Sequence, residues 1–197
     1  TKVASRTQKM LVSAESVFIL VDQPSEVDNA TGSFDGRVNG RVEFKLVSHR
    51  FADAAVDTLA QVSIMAEPGQ TIALVGRSGS GKTTLVNMLP RFVAPAAGQV
   101  LIDGRDIESV SLRNLREQLS LVSQDVVLFD DTIAVNVGYG ALHEASEAEI
   151  RAALQAANLL EFVDGLPLGI QTKVGENATR LSGGQRQRLA IARALIK

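Results

Sequence analysis

The segment TIALVGRSGSGKTTLVNML, residues 71–89, decides the fold class of this 197-residue chain. Its first five residues form a continuous apolar run, which is typical of a strand buried on both faces of a parallel sheet. The glycine-rich stretch GRSGSGKT, residues 76–83, follows this run directly and leads into a predicted helix over 82–90. The stretch fits G-x-x-x-x-G-K-[ST] between a strand and a helix, so it predicts a phosphate-binding loop.

The chemistry of such a loop accounts for its residue types. Glycines let backbone N–H groups converge on phosphate oxygens, and the helix N-terminus adds partial positive charge. The Lys82 ammonium would reach the β- and γ-phosphates, and the Thr83 hydroxyl would ligate Mg²⁺. A plain Gly/Ser turn is the alternative interpretation. We predict binding of a nucleoside triphosphate by the loop residues Gly76, Arg77, Ser78, Gly79, Ser80, Gly81, Lys82, Thr83 and Thr84.

Composition narrows the remaining classes of function. Hydrophobic residues make up 45% and charged residues 21% of the chain, which suits one ordinary globular core. A net charge of −2 gives no general attraction to nucleic acid, so we expect no nucleic acid partner. The lack of cysteine excludes disulfides and thiolate metal sites. No run approaches the roughly 20 apolar residues that span a bilayer, so we expect the chain to be soluble or peripheral.

The chain is organised as a helix, a linker and a domain. Apolar residues recur at helical spacing over residues 1–21, which predicts an amphipathic helix. Residues 22–40, rich in Asp, Asn, Gly and Ser, predict a linker. Residues 41–197 alternate predicted strands with predicted helices and indicate an α/β domain. The predicted strands lie at 42–46, 59–65, 71–75, 99–103 and 119–123, and the helices at 82–90, 112–118, 147–157 and 183–196. Ser146 and Glu149 form a capping-box pattern before the third of these helices.

Enzymes with this loop also need an acidic residue at the end of a second buried strand, to hold Mg²⁺ and polarise the attacking water. Three places fit at first sight: FILVD ending at Asp22, QVLID ending at Asp103, and VVLFDD ending at Asp130 and Asp131. We expect Asp22 to end the external helix, and Asp103 precedes Gly104 in a predicted hairpin turn. VVLFDD would support a compact GTPase or another ATPase class, but the sequence around it favours a different family.

The segment LSLVSQDVVLFDDTIAVNV, residues 119–137, resembles the glutamine loop of ATP-binding cassette (ABC) transporters, in which a Leu-Phe-x-x-[ST]-[IV] segment follows a strand ending on Gln. LSGGQRQRLAIARAL, residues 181–195, resembles the signature motif that names the family. The resemblance covers residues 41–197, with the motifs in the family's order. It implies an α/β phosphate-loop NTPase that binds ATP and Mg²⁺. The implied fold has a mainly parallel core sheet, an antiparallel β subdomain and an α-helical signature subdomain.

The resemblance also implies roles for single residues. Phe51 takes the position of the aromatic side chain that stacks on adenine, where the family more often has Tyr; a core Phe is the alternative. Gln124 resembles the residue that contacts Mg²⁺ and the attacking water, so we predict catalytic roles for Gln124 and Lys82. The signature residues, implied to close on the γ-phosphate bound by a partner subunit, are Ser182, Gly183, Gly184 and Gln185. Two nucleotide-binding domains, arranged head to tail, would thus share two sites.

The sequence around the motifs is closest to exporters, in which the nucleotide-binding domain follows six membrane helices on one polypeptide. TKVGEN, residues 172–177, resembles the loop that touches the coupling helices of the membrane domain, and residues 1–21 would extend the last membrane helix. The most similar branch is the lipid A flippase group. This likeness implies a lipid or amphipathic substrate and the cytoplasmic face of a bacterial inner membrane. We expect His49 and His143 to be structural.

Three alternatives stay open. The helix over 1–21 could be a plain surface helix, the domain could belong to a soluble ABC ATPase, or the chain could bind ATP without hydrolysing it. In the family, the signature helix leads to a buried strand that ends in Asp-Glu, and the 197 residues end before such a strand. We therefore expect the chain by itself to be poorly stable and inactive as an ATPase, because a missing central strand leaves neighbouring backbone groups unpaired.

Overall fold

A computed structural model describes residues 2–22, 26, 30–141, 143–175 and 178–197. The helices are α1 (Lys2–Val21), α2 (Lys82–Met88), α3 (Leu112–Glu117), α4 (Ile133–Gly138), α5 (Glu147–Ala156), α6 (Leu160–Asp164) and α7 (Gly183–Leu195). The strands are β1 (Val42–His49), β2 (Leu59–Ala66), β3 (Ala97–Ile102) and β4 (Arg105–Asp106). None of the helices in the described ranges combines the length and the apolar composition that crossing a bilayer requires.

The four strands in the described ranges form one antiparallel sheet in the order β2-β1-β3-β4. Strand β1 lies at the centre of this order because both β2 and β3 pair with it. The predicted hairpin turn is confirmed: Asp103 and Gly104 have φ values of 51° and 79°, and they join β3 to β4. Such left-handed backbone conformations are what an Asp-Gly turn between two strands requires.

Two segments that the sequence predicts as strands of a parallel sheet, 71–75 and 119–123, are not strands in the structure. Val75 is 89% exposed and Leu121 is 53% exposed, so the prediction that the first of these apolar runs is buried was wrong. A parallel strand needs neighbouring strands to satisfy its backbone groups and cover its faces. No strand among the described residues pairs with either segment, and most residues of both segments are exposed. Leu74 and Leu119 are partly buried against the sheet core.

The buried side chains form two cores, which we call the sheet core and the helical core. The sheet core joins the sheet to α2 and α3 and includes Phe44, Leu85, Met88, Val100, Ile102 and Leu115. The helical core joins α4, α5, α6 and α7 and includes Ile133, Val137, Leu154, Leu159, Val163 and Leu189. An antiparallel β part and an α-helical part carrying the signature helix are thus both present, as the sequence predicts.

The second half of the predicted linker, residues 30–40, packs along α3, and we call it the strap. The backbone N–H of Phe34 donates a hydrogen bond to Asn114 Oδ1 at 2.7 Å. The backbone N–H of Val38 donates one to Gln118 Oε1 at 3.1 Å. Phe34 and Val38 also pack against the sheet core. The strap is therefore part of the packed structure around the sheet.

Candidate functional site

The phosphate loop, residues 76–83, ends in the first turn of α2. The Lys82 Nζ atom donates hydrogen bonds to the backbone carbonyls of Gly76 at 2.9 Å and Arg77 at 2.8 Å, and it lies 3.4 Å from Ser80 Oγ. The loop backbone thus wraps around the ammonium group. This places a positive charge at the start of a helix, where anions are also favoured by the helix dipole.

Two glycines of the loop leave space that a side chain would fill. Gly81, the N-cap of α2, has φ +84°, and a Cβ there would lie 2.9 Å from the Thr58 carbonyl oxygen and 2.7 Å from Leu59 Cδ2. A Cβ at Gly76 would lie 2.8 Å from Ser80 Oγ. The first N–H groups of a helix have no acceptor within the helix. A backbone cradle with free donors and a central lysine fits the phosphate chain of a nucleotide.

The two threonines at the start of α2 differ in exposure. Thr83 is exposed, whereas Thr84 is buried beside Leu85 at the edge of the sheet core. A hard cation such as Mg²⁺ takes accessible oxygen ligands. Thr83 therefore fits the predicted metal ligand, and burial leaves Thr84 better suited to contribute its backbone N–H.

Phe51 follows β1 and presents an exposed ring. It is 49% exposed, and the His49 ring meets it edge-on, with centroids 4.7 Å apart and an interplanar angle of 85°. The His49 ring is held in turn by a 3.0 Å hydrogen bond between its Nδ1 atom and the carbonyl oxygen of Ala94. The exposure excludes the alternative that Phe51 is a core residue. His49 has a structural contact, as the sequence predicts.

Gln124 is exposed and begins a stretch that we call the glutamine segment, residues 124–129, in which Val126 and Leu128 are partly buried. Just before it, the Ser123 hydroxyl donates a 2.6 Å hydrogen bond to the carbonyl oxygen of Asp125. Within the described ranges, no hydrogen bond joins Gln124 to the phosphate loop. The structure therefore leaves these two predicted catalytic groups on separate segments.

The acidic pair in VVLFDD does not end a strand. Asp130 is exposed, and the Asp131 carboxylate accepts a 2.7 Å hydrogen bond from the Thr132 N–H at the start of α4. The carbonyl oxygen of Asp131 accepts another from the Val174 N–H at 3.0 Å. Asp131 thus has a local structural role, and the interpretation of this pair as the acidic site of a compact GTPase receives no support.

The four signature residues lie at the N-terminus of α7. The Ser182 hydroxyl accepts a hydrogen bond from the Gln185 N–H at 3.3 Å, and Gln185 Oε1 accepts one from the Ser182 N–H at 2.7 Å. This capping box fixes the first turn of the helix. Gly183 and Gly184 are exposed, and a Cβ at either would meet no atom within 4 Å. An open, donor-rich helix start of this kind can receive an anion from another molecule.

The predicted coupling loop is only partly described, because Glu176 and Asn177 of TKVGEN lie outside the described residues. Its first half is tied to α4: the Thr172 carbonyl oxygen accepts a 3.0 Å hydrogen bond from the Ile133 N–H. His143 lies near α5, where its Nε2 atom is 3.0 Å from Glu149 Oε1. This contact agrees with a structural role for His143.

Sequence reasoning missed two groups of residues around the site. The first is the set of polar side chains that bind the strap, and no local pattern identifies such side chains. The second is Arg193 with its partner Asn136, which is fully buried. Arg193 lies one helical turn after the buried Leu189 on α7. An arginine on the apolar face of a predicted helix was the available signal.

Comparisons with known proteins agree with this arrangement. Residues 59–197 match the family described as ABC transporter. The chain is 68% identical over all 197 residues to the ATP-dependent lipid A-core flippase of Bordetella pertussis and 50% identical to that of Dechloromonas aromatica. It covers 32% and 34% of those two proteins. The chain thus spans about a third of the length of the curated relatives it matches.

A solved structure gives the same result at the level of the fold. A bacterial Atm1-family ABC exporter with ATP bound superposes on this chain with a TM-score of 0.81 at 40% sequence identity. The match covers 96% of this chain and 33% of that one. Together with the phosphate loop and the capped signature helix, these matches lead to one conclusion. The chain belongs to the ABC transporter family and has its phosphate-loop ATPase fold.

Proposed function

We propose that this chain is the ATP-binding domain of an exporter that couples ATP binding and hydrolysis to the movement of a lipid or amphipathic substrate. The observation that carries the proposal is the placement of Lys82 Nζ inside the glycine loop, against the carbonyls of Gly76 and Arg77. The name of the Bordetella pertussis relative, a lipid A-core flippase, supports the choice of a lipid substrate.

The proposal assigns the predicted site residues as follows. Phe51 stacks on the adenine ring, and Lys82 with the loop N–H groups binds the phosphates. Thr83 and Gln124 hold Mg²⁺, which neutralises phosphate charge when it is bound. Gln124 also orients the attacking water. Residues 182–185 close on the nucleotide of a partner domain, so that two domains arranged head to tail share two sites.

The same proposal places the chain within a larger protein. Residues 41–197 form the nucleotide-binding domain, residues 22–40 link it to the membrane part, and residues 1–21 extend the last transmembrane helix of the same polypeptide. The domain would then lie at the cytoplasmic face of a bacterial inner membrane. The exposed apolar side chains of α1, among them Leu11, Val17 and Phe18, support a packed partner for this helix.

Nucleotide titration tests the binding part of the proposal. Replacing Lys82 by Ala should weaken Mg-ATP binding about 10- to 100-fold, since it removes charge-assisted hydrogen bonds worth about 1.5–3 kcal/mol. Lys45→Ala is the matched control, because Lys45 lies on β1 and its ammonium is 3.5 Å from Glu43. Equal affinity of the Lys82→Ala variant and the unchanged chain would refute the phosphate-loop assignment.

Phosphate release tests the hydrolytic part. We propose that residues 1–197 by themselves bind ATP but turn it over slowly, because two acidic candidates for polarising the attacking water already accept local hydrogen bonds. The Asp131 carboxylate accepts one from the Thr132 N–H, and the Asp103 carboxylate accepts them from the N–H groups of residues 39–41. An intact exporter carrying this chain, reconstituted in vesicles that contain lipid A, should hydrolyse ATP faster than in vesicles without it. An equal rate of ATP hydrolysis with and without lipid A would contradict the proposed substrate.

A further inference from the structure

The guanidinium of Arg193 connects three separate parts of the chain. Its Nε atom donates a hydrogen bond to the Asn136 carbonyl oxygen at 2.8 Å, and Nη2 donates one to Asn136 Oδ1 at 2.8 Å. Its Nη1 atom donates a third to the Val127 carbonyl oxygen at 2.9 Å. Arg193 lies on α7, Asn136 on α4, and Val127 in the glutamine segment. A single side chain thus holds all three elements.

Asn136 extends this connection along the glutamine segment. Its Oδ1 atom accepts a 2.9 Å hydrogen bond from the Phe129 N–H, and its Nδ2 atom donates to the carbonyl oxygens of Phe129 and Thr132, each at 3.0 Å. The amide is fully buried, and every hydrogen-bonding atom of its side chain has a partner. Buried polar networks that are fully satisfied hold their elements in one arrangement.

Two aromatic rings border the same guanidinium. The Arg193 Cζ atom lies 5.5 Å from the ring centroid of Phe129 and 5.9 Å from that of Tyr139, and the two rings are 4.7 Å apart. A planar guanidinium can use its in-plane donors for hydrogen bonds while its face meets a ring. Lysine cannot reproduce this arrangement, because its ammonium has neither the flat face nor the fork of donors.

Arg193 connects two groups of residues that, in the proposed dimer, contact two different ATP molecules. Val127 lies three residues after Gln124, which the proposed function assigns to the nucleotide on the same subunit. The other end of α7 carries the signature, assigned to the nucleotide on the partner. Since α7 has 13 residues, Arg193 and the Ser182 cap are joined by one rigid rod of about 1.5 Å per residue.

We propose that Arg193 is a positioning residue that holds the glutamine segment on the signature helix, so that the two ATP sites of a dimer change conformation together. This inference rests on the proposed function, because it uses the roles assigned there to Gln124 and to the signature. Arg193 itself contacts neither. Its effect on hydrolysis passes through the Val127 and Phe129 backbone.

The test uses the intact exporter with Arg193→Lys. We expect kcat for ATP hydrolysis to fall about 10-fold or more, because small misplacements of a water-positioning group are costly. The Hill coefficient for ATP should fall towards 1, whereas the Kd for ATP should stay within about twofold, since the phosphate loop and Phe51 are unchanged. A Kd and a KM that rise several-fold while kcat falls would indicate a general structural defect and would overturn the inference.

Arg188→Lys is the matched control, because Arg188 is an exposed arginine on the same helix and has no hydrogen bond or ion pair in the described part of the chain. The control should have the same kcat and Hill coefficient as the wild-type protein, and an equal fall of both in the two variants would contradict a specific role for Arg193.

If Arg193→Lys fails to fold, Phe129→Leu tests the same inference. It removes the ring that contacts Arg193 and Tyr139 at an exposed position and leaves the hydrogen bonds of Arg193 in place, so we expect a smaller fall in kcat and in the Hill coefficient.

The outcomes separate this inference from the proposed function. The inference alone would be overturned if the wild-type exporter hydrolyses ATP cooperatively and the Arg193→Lys variant has the same kcat and the same Hill coefficient. An unchanged exporter that neither binds nor hydrolyses ATP would overturn the proposed function and this inference with it.

Discussion

At the scale of single residues, the side chains of the candidate site differ in how many contacts hold them in place. Lys82 is held by the carbonyls around it, whereas Phe51 has one ring contact and an open face. The family more often has Tyr at the position of Phe51. Stacking requires a π face and not a hydroxyl, so the change from Tyr to Phe is compatible with binding adenine.

Replacing Phe51 by Ala should weaken ATP binding about 3- to 10-fold, because aromatic pairs contribute about 0.5–1.5 kcal/mol beyond area burial. Phe51→Tyr should retain the affinity of the unchanged chain. Isothermal titration with ATP and with inorganic tripolyphosphate separates the base from the phosphates. The proposed role would be refuted if Phe51→Ala weakened tripolyphosphate binding as strongly as ATP binding.

At the scale of elements, the strap shows how a polar segment becomes part of a fold. The Asp103 carboxylate accepts hydrogen bonds from the backbone N–H groups of residues 39–41 at 2.6, 3.1 and 2.9 Å. Near the N-terminal end of the strap, the Gly32 carbonyl oxygen accepts a 2.8 Å hydrogen bond from the Ser111 N–H. Two ends of the strap are thus tied to the β3–β4 turn and to the start of α3.

Gly32→Ala should displace the strap, because a Cβ at Gly32 would lie too close to the Ser109 carbonyl oxygen. We expect the free energy of unfolding to fall by about 1–3 kcal/mol, as for other overpacked sites. Gly165→Ala is the control, since Gly165 has a φ of −75° and a Cβ there would meet its nearest atoms at 3.4 Å and 3.6 Å, which is ordinary van der Waals contact. Hydrogen exchange at the Phe34 and Val38 N–H groups should become faster in Gly32→Ala, and equal exchange in both variants would contradict this packing.

The capping box of α5 should make the stability of the folded protein depend on pH. Hydrogen bonds from the Ser146 hydroxyl and N–H, followed by the His143 contact, lower the pKa of Glu149 to about 2 from an ordinary value of 4.5. A lowered pKa means that the ionised carboxylate stabilises the folded state above pH 4.5. This contribution is lost as the pH falls through the window from 4.5 to about 2.

Glu149→Gln should therefore lower the Tm at pH 6, and the difference in Tm between the two proteins should narrow at pH 3. Thermal unfolding followed by circular dichroism measures both differences. Glu147→Gln is the control, because Glu147 lies in the same helical turn but is not part of the capping box. A difference in Tm that is the same at pH 6 and pH 3 would contradict the lowered pKa.

At the scale of the whole molecule, we expect mutations in the two cores to have different effects on ATP binding. Leu115 lies in the sheet core with the α2 residues that support the phosphate loop, and Leu154 lies in the helical core. Both side chains are fully buried. Because the contacts proposed for the adenine and the phosphates, from Phe51 and Lys82, come from the sheet part, bound ATP should stabilise the sheet core more directly than the helical core.

Leu115→Ala and Leu154→Ala should each lower the free energy of unfolding by about 2–5 kcal/mol. Only Leu115→Ala should also weaken ATP binding. Urea unfolding, followed by the fluorescence of the single tyrosine, Tyr139, reports on the helical part and can be compared with circular dichroism of the whole chain. A loss of ATP affinity as large in Leu154→Ala as in Leu115→Ala would show that the two cores are not separable in this way.

Local chemistry explains which features could be predicted. The helix after the phosphate loop, the Ser146 cap and the Asp103-Gly104 turn each depend on residues within one or two turns of chain, so their patterns are visible in the sequence. The short helices α4 and α6 were not predicted, because residues 133–138 and 160–164 are held by packing in the helical core more than by any local pattern.

The sequence by itself determined the loop chemistry, the order of the motifs and therefore the family. Only the tertiary structure decided that residues 71–75 and 119–123 are unpaired, that the strap binds Asn114 and Gln118, and that Arg193 joins three elements. The physical reason is distance along the chain. Phe34 and Asn114 are 80 positions apart, and Arg193 and Val127 are 66 apart, so no local periodicity can report their contact.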